Sequence, residues 1–320
     1  MTKRTRYFMA GSAAVLAAGL STGLVAYFAG GFQPVSAAPV ANELRYVPAD
    51  AAVVAYADVR SIMDSDLRQR LKAAMPMQEQ GQAEFKAHTG IDIEKDIDYI
   101  VAAASGVGQN PDGLVVARGR FNDTQLEALA LEHGGQVEDY KGKRLVNSPE
   151  NEGHQMSLAF LEAGLVAIGT KATVQRAIDA QLSSHSITSN SEMMDLVGEI
   201  GNASNAWAVG RFDTIAQQAS LPTEIASKMP PIKWFAASGH VNGGISGVLR
   251  AEANDDESAE LLRRQVSGAL AFGEMIGKSD PKVAAMISSL QLSGSGKTVA
   301  ISFTVPAELL AMIPQQIEKQ

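Results

Sequence analysis

The sequence predicts an α+β fold: an N-terminal transmembrane helix followed by two tandem, diverged α/β repeats with mixed, largely antiparallel sheets. Three observations carry this. The stretch Gly113–Gly135 reads as strand, break, helix and stop: Leu114–Phe121 is apolar and then alternates, and Asn122-Asp123-Thr124 interrupts it. Leu126, Leu129, Ala130 and His133 then follow at helical spacing, and Gly134-Gly135 ends the helix. The same succession returns at Gly247–Leu270, where Val248-Leu249-Arg250-Ala251 answers Val116-Ala117-Arg118-Gly119 and Asn254-Asp255 answers Asn122-Asp123. Finally, Tyr7–Phe32 contains no charged residue and follows Lys3, Arg4 and Arg6.

That uncharged run exceeds both the ~20 residues that span a bilayer and the roughly 7–15-residue core of a cleaved signal. Tyr7, Tyr27, Phe28 and Phe32 lie near its ends, where interfacial aromatics belong. The basic residues before it place the N-terminus in the cytoplasm and everything after Phe32 outside. The alternative is a removed signal peptide, for which Val35-Ser36-Ala37 offers small residues at a cleavage position. Both readings export the folded part. Gln33–Asn42, with Pro34 and Pro39, reads as a linker.

Composition narrows the function. The 320 residues suffice for one large core or two ordinary ones, and aromatics at 6% leave small aliphatic side chains to build it. The absence of cysteine excludes disulfides, thiol catalysis, Cys-ligated zinc and a lipidated N-terminal Cys. Net charge is −8, and because the only charges before Glu43 are three cations, the remainder carries −11. Such a surface repels phosphate backbones, so nucleic acid is not an expected partner.

In the first repeat, Ala52–Val59 is a β run, and Ser61 or Asp64 is placed to cap a helix carrying Ile62, Met63, Leu67 and Leu71. Met75–Thr89 has a helical pattern with little apolar content. Gly90–Asp98 leads into a strand over Tyr99–Ala104, and Ser105–Asp112 is a turn. After Gly135, Arg144–Asn147, Gln155–Leu161 and Gly164–Gly169 read as antiparallel strands, the last two joined at Glu162-Ala163-Gly164. Thr170–Thr173 opens a helix carrying Val174, Ala177, Ile178 and Leu182. The Ser-rich segment Ser183–Asn190 marks the boundary. The predicted units are thus residues 1–32 (cytoplasmic stub and anchor), 33–42 (linker), 43–184 and 185–320 (the repeats).

In the second repeat, Asn205–Ile215 answers the first strand and its helix start, Lys233–Ser238 answers Asp98–Ala103, and Thr298–Thr304 answers Leu165–Gly169. A helix with Pro306 early and Leu309, Leu310 and Ile313 inward follows, and Pro314 ends it. Val248 follows Val116 by 132 residues and Val299 follows Val166 by 133, whereas Val209 follows Tyr56 by 153. One insertion of about 20 residues in the first copy, at Met75–Asp96, accounts for the difference.

No motif carries recognisable chemistry. Asn122 and Asn254 are assigned to helix caps, with Gln125 and Glu257 three residues on as in a capping box, rather than to a metal or substrate cluster. Gly294-Ser295-Gly296-Lys297-Thr298 resembles the end of a phosphate loop, but the required earlier glycine is Gln291. Apolar strands at Met286–Leu292 and Val299–Phe303 make it a hairpin turn. Asp92, Glu94, Asp96 and Asp98 lack the glycine and glutamate of a calcium loop, since Ile97 and Ala103 stand there, and read as a solvated acidic turn. His88, His133, His154, His185 and His240 are scattered, and no Gly-x-Ser-x-Gly elbow occurs. Arg118 with Arg250, and Gly119 with Gly210, recur at related positions, which points to architecture. No catalytic, cofactor-binding or metal-binding residue is assigned.

Val47-Pro48-Ala49-Asp50-Ala51-Ala52-Val53-Val54-Ala55-Tyr56-Ala57-Asp58-Val59 resembles the opening of uncharacterised exported bacterial envelope proteins with VPADA-type strand–helix repeats. Gly90–Ile100 and Ala167-Ile168-Gly169-Thr170 before Val174 are similar to them too. The resemblance implies a membrane-anchored or lipid-anchored envelope protein with repeated α/β units, and supplies no activity or site residues.

The expected function is a single-pass, membrane-anchored extracytoplasmic binding or scaffolding protein of the bacterial inner membrane. Its partners are the membrane through residues 7–32 and an envelope protein or a lipid. A periplasmic carrier of an apolar ligand and a hydrolase with a dispersed site are the alternatives.

Overall fold

The computed structural model describes residues 42–69, 86–87, 89–105, 113–150, 155–200, 204–212, 230–277, 284 and 287–306. The anchor, the linker up to residue 41, most of Met75–Thr89, residues 106–112, the last predicted helix after Pro306, His88 and His154 lie outside the described residues; Pro306, expected early in that helix, instead ends a strand.

Among the described residues, twelve strands form one sheet. In chain order they are β1 (Val53–Ala57), β2 (Ile97–Ala104), β3 (Gly113–Gly119), β4 (Gln136–Tyr140), β5 (Lys143–Asn147), β6 (Met156–Glu162), β7 (Leu165–Thr170), β8 (Ala206–Arg211), β9 (Ile232–Val241), β10 (Gly244–Ala253), β11 (Gln291–Ser293) and β12 (Thr298–Pro306). Across the sheet the order is β11-β12-β10-β9-β8-β1-β2-β3-β7-β6-β5-β4. Every pairing is antiparallel.

This corrects the expectation of mixed sheets, one set per repeat. The reason lies in β1 and β8, which are apolar on both faces and short. A strand of that kind is stable only inside a sheet, and each covers the other's open edge. Their register runs from Val53↔Gly210 to Ala57↔Ala206, with Ala55 opposite Ala208 at its centre. From that seam outward the order is β1-β2-β3-β7-β6-β5-β4 on one side and β8-β9-β10-β12-β11 on the other, so the first five strands of each side correspond and β5 and β4 are additional.

The helices that complete the described fold include α1 (Val59–Met63), α2 (Ile93–Asp96), α3 (Asp123–Glu132), α4 (Lys171–Ser183), α5 (Ser191–Ile200) and α6 (Asp256–Gly277). The core lies between one sheet face and α4, α5 and the turn Leu44–Tyr46. Val54, Tyr56, Val101, Val116, Ala167, Trp207 and Val209 meet Val174, Ala177 and Ile178 of α4 and Met193, Leu196 and Ile200 of α5 there. Leu182, expected inward, is 53% exposed, and Ala180 is the buried neighbour at that end of α4. Helix α5 and strand β4 were not foreseen. The Ser-rich run before α5 obscured its start, and Gln136–Tyr140 alternates only weakly.

Cap chemistry sets the helix starts. Asn122 accepts the Gln125 N–H at 3.1 Å, and Thr170 accepts that of Thr173 at 3.2 Å. Two expected caps move. Asp58, not Ser61 or Asp64, caps α1 by accepting the Ser61 N–H at 2.8 Å. Asp255, not Asn254, caps α6 by accepting the Ser258 N–H at 2.7 Å. In both, the strand runs further than expected or ends sooner, and the side chain that reaches the free N–H groups changes by a residue or more. The flanking strand before Gly294 is also shorter than expected: only Gln291–Ser293 pairs, and residues 287–288 are helical. Gly294-Ser295-Gly296-Lys297 is indeed a hairpin connection, with Gly294 at φ 100° and Gly296 at φ 55°.

Gly119 ends β3 where the Asp96 carbonyl approaches its α-carbon, so a methyl group there would collide with backbone. Gly119→Ala is expected to cost about 1–3 kcal/mol through overpacking, read from a shifted urea midpoint. An unchanged midpoint would show that the β2–β3 end relaxes freely.

Candidate functional site

Two features stand out: a buried charged clasp on the helix-covered face and an apolar opposite face. The clasp is built on Glu43, which is 1% exposed although ionisable. Its Oε1 accepts from Arg118 Nε at 2.9 Å, Arg118 Nη2 at 2.6 Å and Tyr99 Oη at 3.0 Å. The register sets this up, because Tyr99 and Arg118 are direct partners on β2 and β3 and project to the same face. Arg118 also lies 3.8 Å from Glu162, which accepts from Tyr46 Oη at 2.9 Å and pairs with Arg45. Glu43 Oε2 and Tyr56 Oη are buried without a hydrogen-bond partner among the described residues. The Tyr56 ring stacks on Trp207 at 5.9 Å and tilts against Tyr99 at 5.8 Å.

Burial and neighbouring carboxylates raise the phenols around the clasp. Burial pushes Tyr99 up to about 12, helped by Glu43, and pushes Tyr46 up to about 12, helped by Glu162. Burial likewise raises Tyr56. These phenols stay protonated at neutral pH and are poor general bases. The Glu43–Arg118 pair ties the segment before β1 to the end of β3. The second half repeats the device: Arg250 on β10 pairs with Glu199 of α5. In each half an acidic residue preceding the first strand meets the arginine of the third strand. The recurrence of Arg118 and Arg250 was legible in sequence. Glu43 was missed, since nothing but its place before Val47-Pro48 marks it.

The acidic turn is a set of ion pairs. Asp92 meets Lys86 at 3.0 Å, Glu94 meets Arg68 at 2.8 Å, Asp96 meets Arg120 at 3.5 Å, and Asp98 meets Arg60 Nε at 2.9 Å. The Lys86 hydrogen bond lowers the Asp92 pKa below its ordinary 3.8. A carboxylate held below its unfolded value stabilises the fold above that value, and the contribution is lost as pH falls through the folded one. Melting temperature is therefore expected to drop below about pH 4, and Asp92→Asn should flatten that drop slightly. A wild-type acid limb indistinguishable from that of the variant would refute the assignment. Among the histidines, His133 Nδ1 lies 2.8 Å from the Leu129 carbonyl at the end of α3. Among the described residues no cluster of His, Asp and Glu could hold a metal.

The other sheet face carries the second feature. One row of directly paired residues crosses all twelve strands, from Leu292 through Ile301, Leu249, Ala237, Ala208, Ala55, Ala102, Val115, Ile168, Leu158 and Val146 to Val137. Every member is apolar. At about 4.8 Å per strand it extends roughly 50 Å. Ala55, Ala208 and Ala237 at its middle are buried, while Val115, Leu158 and Ile168 are half-buried. Helix α6 lies on this face at one end, where Ala259 packs on Ala253 and Val299. Helix α3 lies at the other, where Glu127 pairs with Arg144 at 2.6 Å. Individual strands were readable as apolar, but their alignment into one row depends on register.

No protein-family model matches the chain, and no curated protein matches it in sequence. Solved structures of TP0453 are similar to it at low identity. Crystal form III shares 10% identity over 85% of this chain and 97% of that one, with a TM-score of 0.49. Crystal form IV shares 11% over 89% and 97%, with a TM-score of 0.48.

Proposed function

We propose that this is a membrane-anchored extracytoplasmic binding or scaffolding protein of the bacterial cell envelope, with the apolar sheet face as its binding surface. Residues 7–32 anchor it in the inner membrane, and the folded region comprises two diverged copies of one unit, 43–184 and 185–320. The duplication is supported by the matching order of the first five strands on either side of the β1–β8 seam. The seam register supports it too: the 153-residue offset equates Ala55 with Ala208, which face each other as a two-fold relation requires. The apolar row carries the binding reading through its half-buried stretch Ala102, Val115, Ile168 and Leu158, which suits an apolar partner.

The described residues contain no helix long and apolar enough to cross a membrane, so the anchor rests on the sequence of residues 7–32. The test is a mild-detergent pull-down of the full-length protein from its native membrane, with protein and lipid mass spectrometry, beside Leu158→Ser/Ile168→Ser checked for folding. A stoichiometric protein lost from the variant supports scaffolding. A defined lipid lost from it identifies an apolar-ligand carrier. Specific turnover of a small substrate by the purified protein would refute both.

A further inference from the structure

We propose that the strand end bearing the Glu43 clasp is the end of the folded region that faces the membrane, and that the end bearing the β11–β12 hairpin points away from it. This rests on the anchor reading above and adds to it the surface left open to a partner.

The clasp lies at one definite end of the sheet. Arg118 is the penultimate residue of β3, and Glu162 is the last residue of β6. Ala57, Ile100 and Ala117 are aligned near that end, and Ala57 pairs with Ala206, which pairs with Gly239. The β9–β10 turn with Asn242 therefore belongs to the same end. That end is cross-tied: Asn205 Nδ2 donates to the Val241 carbonyl at 2.9 Å, its Oδ1 accepts the Val241 N–H at 2.9 Å, and Asn242 accepts the Leu67 N–H at 2.8 Å. At the other end, Val53, Gly210, Phe235, Ala251 and Val299 are aligned, and the hairpin with Ser295 lies beyond them.

The chain reaches the fold at Glu43, buried and held by three hydrogen bonds to one oxygen. Only residues 33–42 separate it from the predicted span, and ten residues reach at most about 36 Å. The nine residues of β12 extend about 30 Å from end to end. Turning the hairpin end toward the bilayer would require the connecting residues to be almost fully extended, which chain entropy opposes. With the clasp at its root, the short connection keeps the Asn242 end near the headgroups.

The absence of cysteine permits a direct test. Full-length Asn242→Cys and Ser295→Cys, each at an exposed turn, are labelled with a fluorophore and reconstituted in liposomes containing a headgroup nitroxide lipid. Quenching at position 242 is expected to be several-fold that at position 295. A ratio of one or below in the parent overturns the orientation. Failure of the protein to float with the liposomes overturns the anchor reading, and the orientation with it.

Discussion

Replacing Arg118 with alanine is expected to lower the free energy of unfolding by about 3–5 kcal/mol. The magnitude follows from what remains. Glu43 is 1% exposed, and two of the three hydrogen bonds to its Oε1 come from this guanidinium. Without it, a buried carboxylate keeps only Tyr99. The equivalent change in the second half, Arg250→Ala, removes a pair whose side chains are 26% and 50% exposed. Water and counter-ions can take over there, so about 0–1 kcal/mol is expected. Urea denaturation of both variants makes the comparison. Adding Glu43→Gln to Arg118→Ala should recover part of the loss by removing the stranded charge. Equal effects at the two arginines would mean that Glu43 finds solvent when its partner is gone.

Trp207→Ala is expected to cost about 3–5 kcal/mol by emptying a large buried site. Trp207 is 2% exposed and stacks on Tyr56 directly across the β1–β8 seam. The loss falls on the one strand pair that joins the two halves of the sheet, so its consequence is also cooperative. The parent is expected to unfold in a single transition, because each half would otherwise expose the apolar edge of β1 or β8. A weakened seam should broaden or split that transition in the variant. Differential scanning calorimetry reads both effects. A small shift with unchanged width would indicate that the seam is held by its backbone ladder rather than by side-chain packing.

Most individual elements were legible because their signals are local. The alternation in β3, the Asn122 cap, the Ala163-Gly164 turn and the Thr170 helix start each depend on a few adjacent residues. The misses have local causes too. Helix α5 begins after a polar run that resembles a linker, although Met193, Leu196 and Ile200 keep helical spacing. The caps at Asp58 and Asp255 compete with neighbouring polar side chains of nearly equal capping strength, and only the backbone path chooses among them. The clasp was illegible because Glu43, Tyr99, Arg118 and Glu162 meet only when β2, β3 and β6 are in register.

The sequence by itself determined the α+β class, the strand–cap–helix phrase and its recurrence, the lack of cysteine chemistry and the hydrophobic N-terminal run. Periodicity and composition are short-range properties, and they survive in the unfolded chain. The tertiary structure alone decided that the strands join in one twelve-stranded antiparallel sheet, that their apolar residues line up as a continuous row, and that Glu43 is buried against Arg118. These depend on which edges pair and in what register. That choice is made by the burial of β1 against β8 and by charge pairing between residues far apart in the chain, so the polar and apolar surfaces of this protein are products of long-range packing.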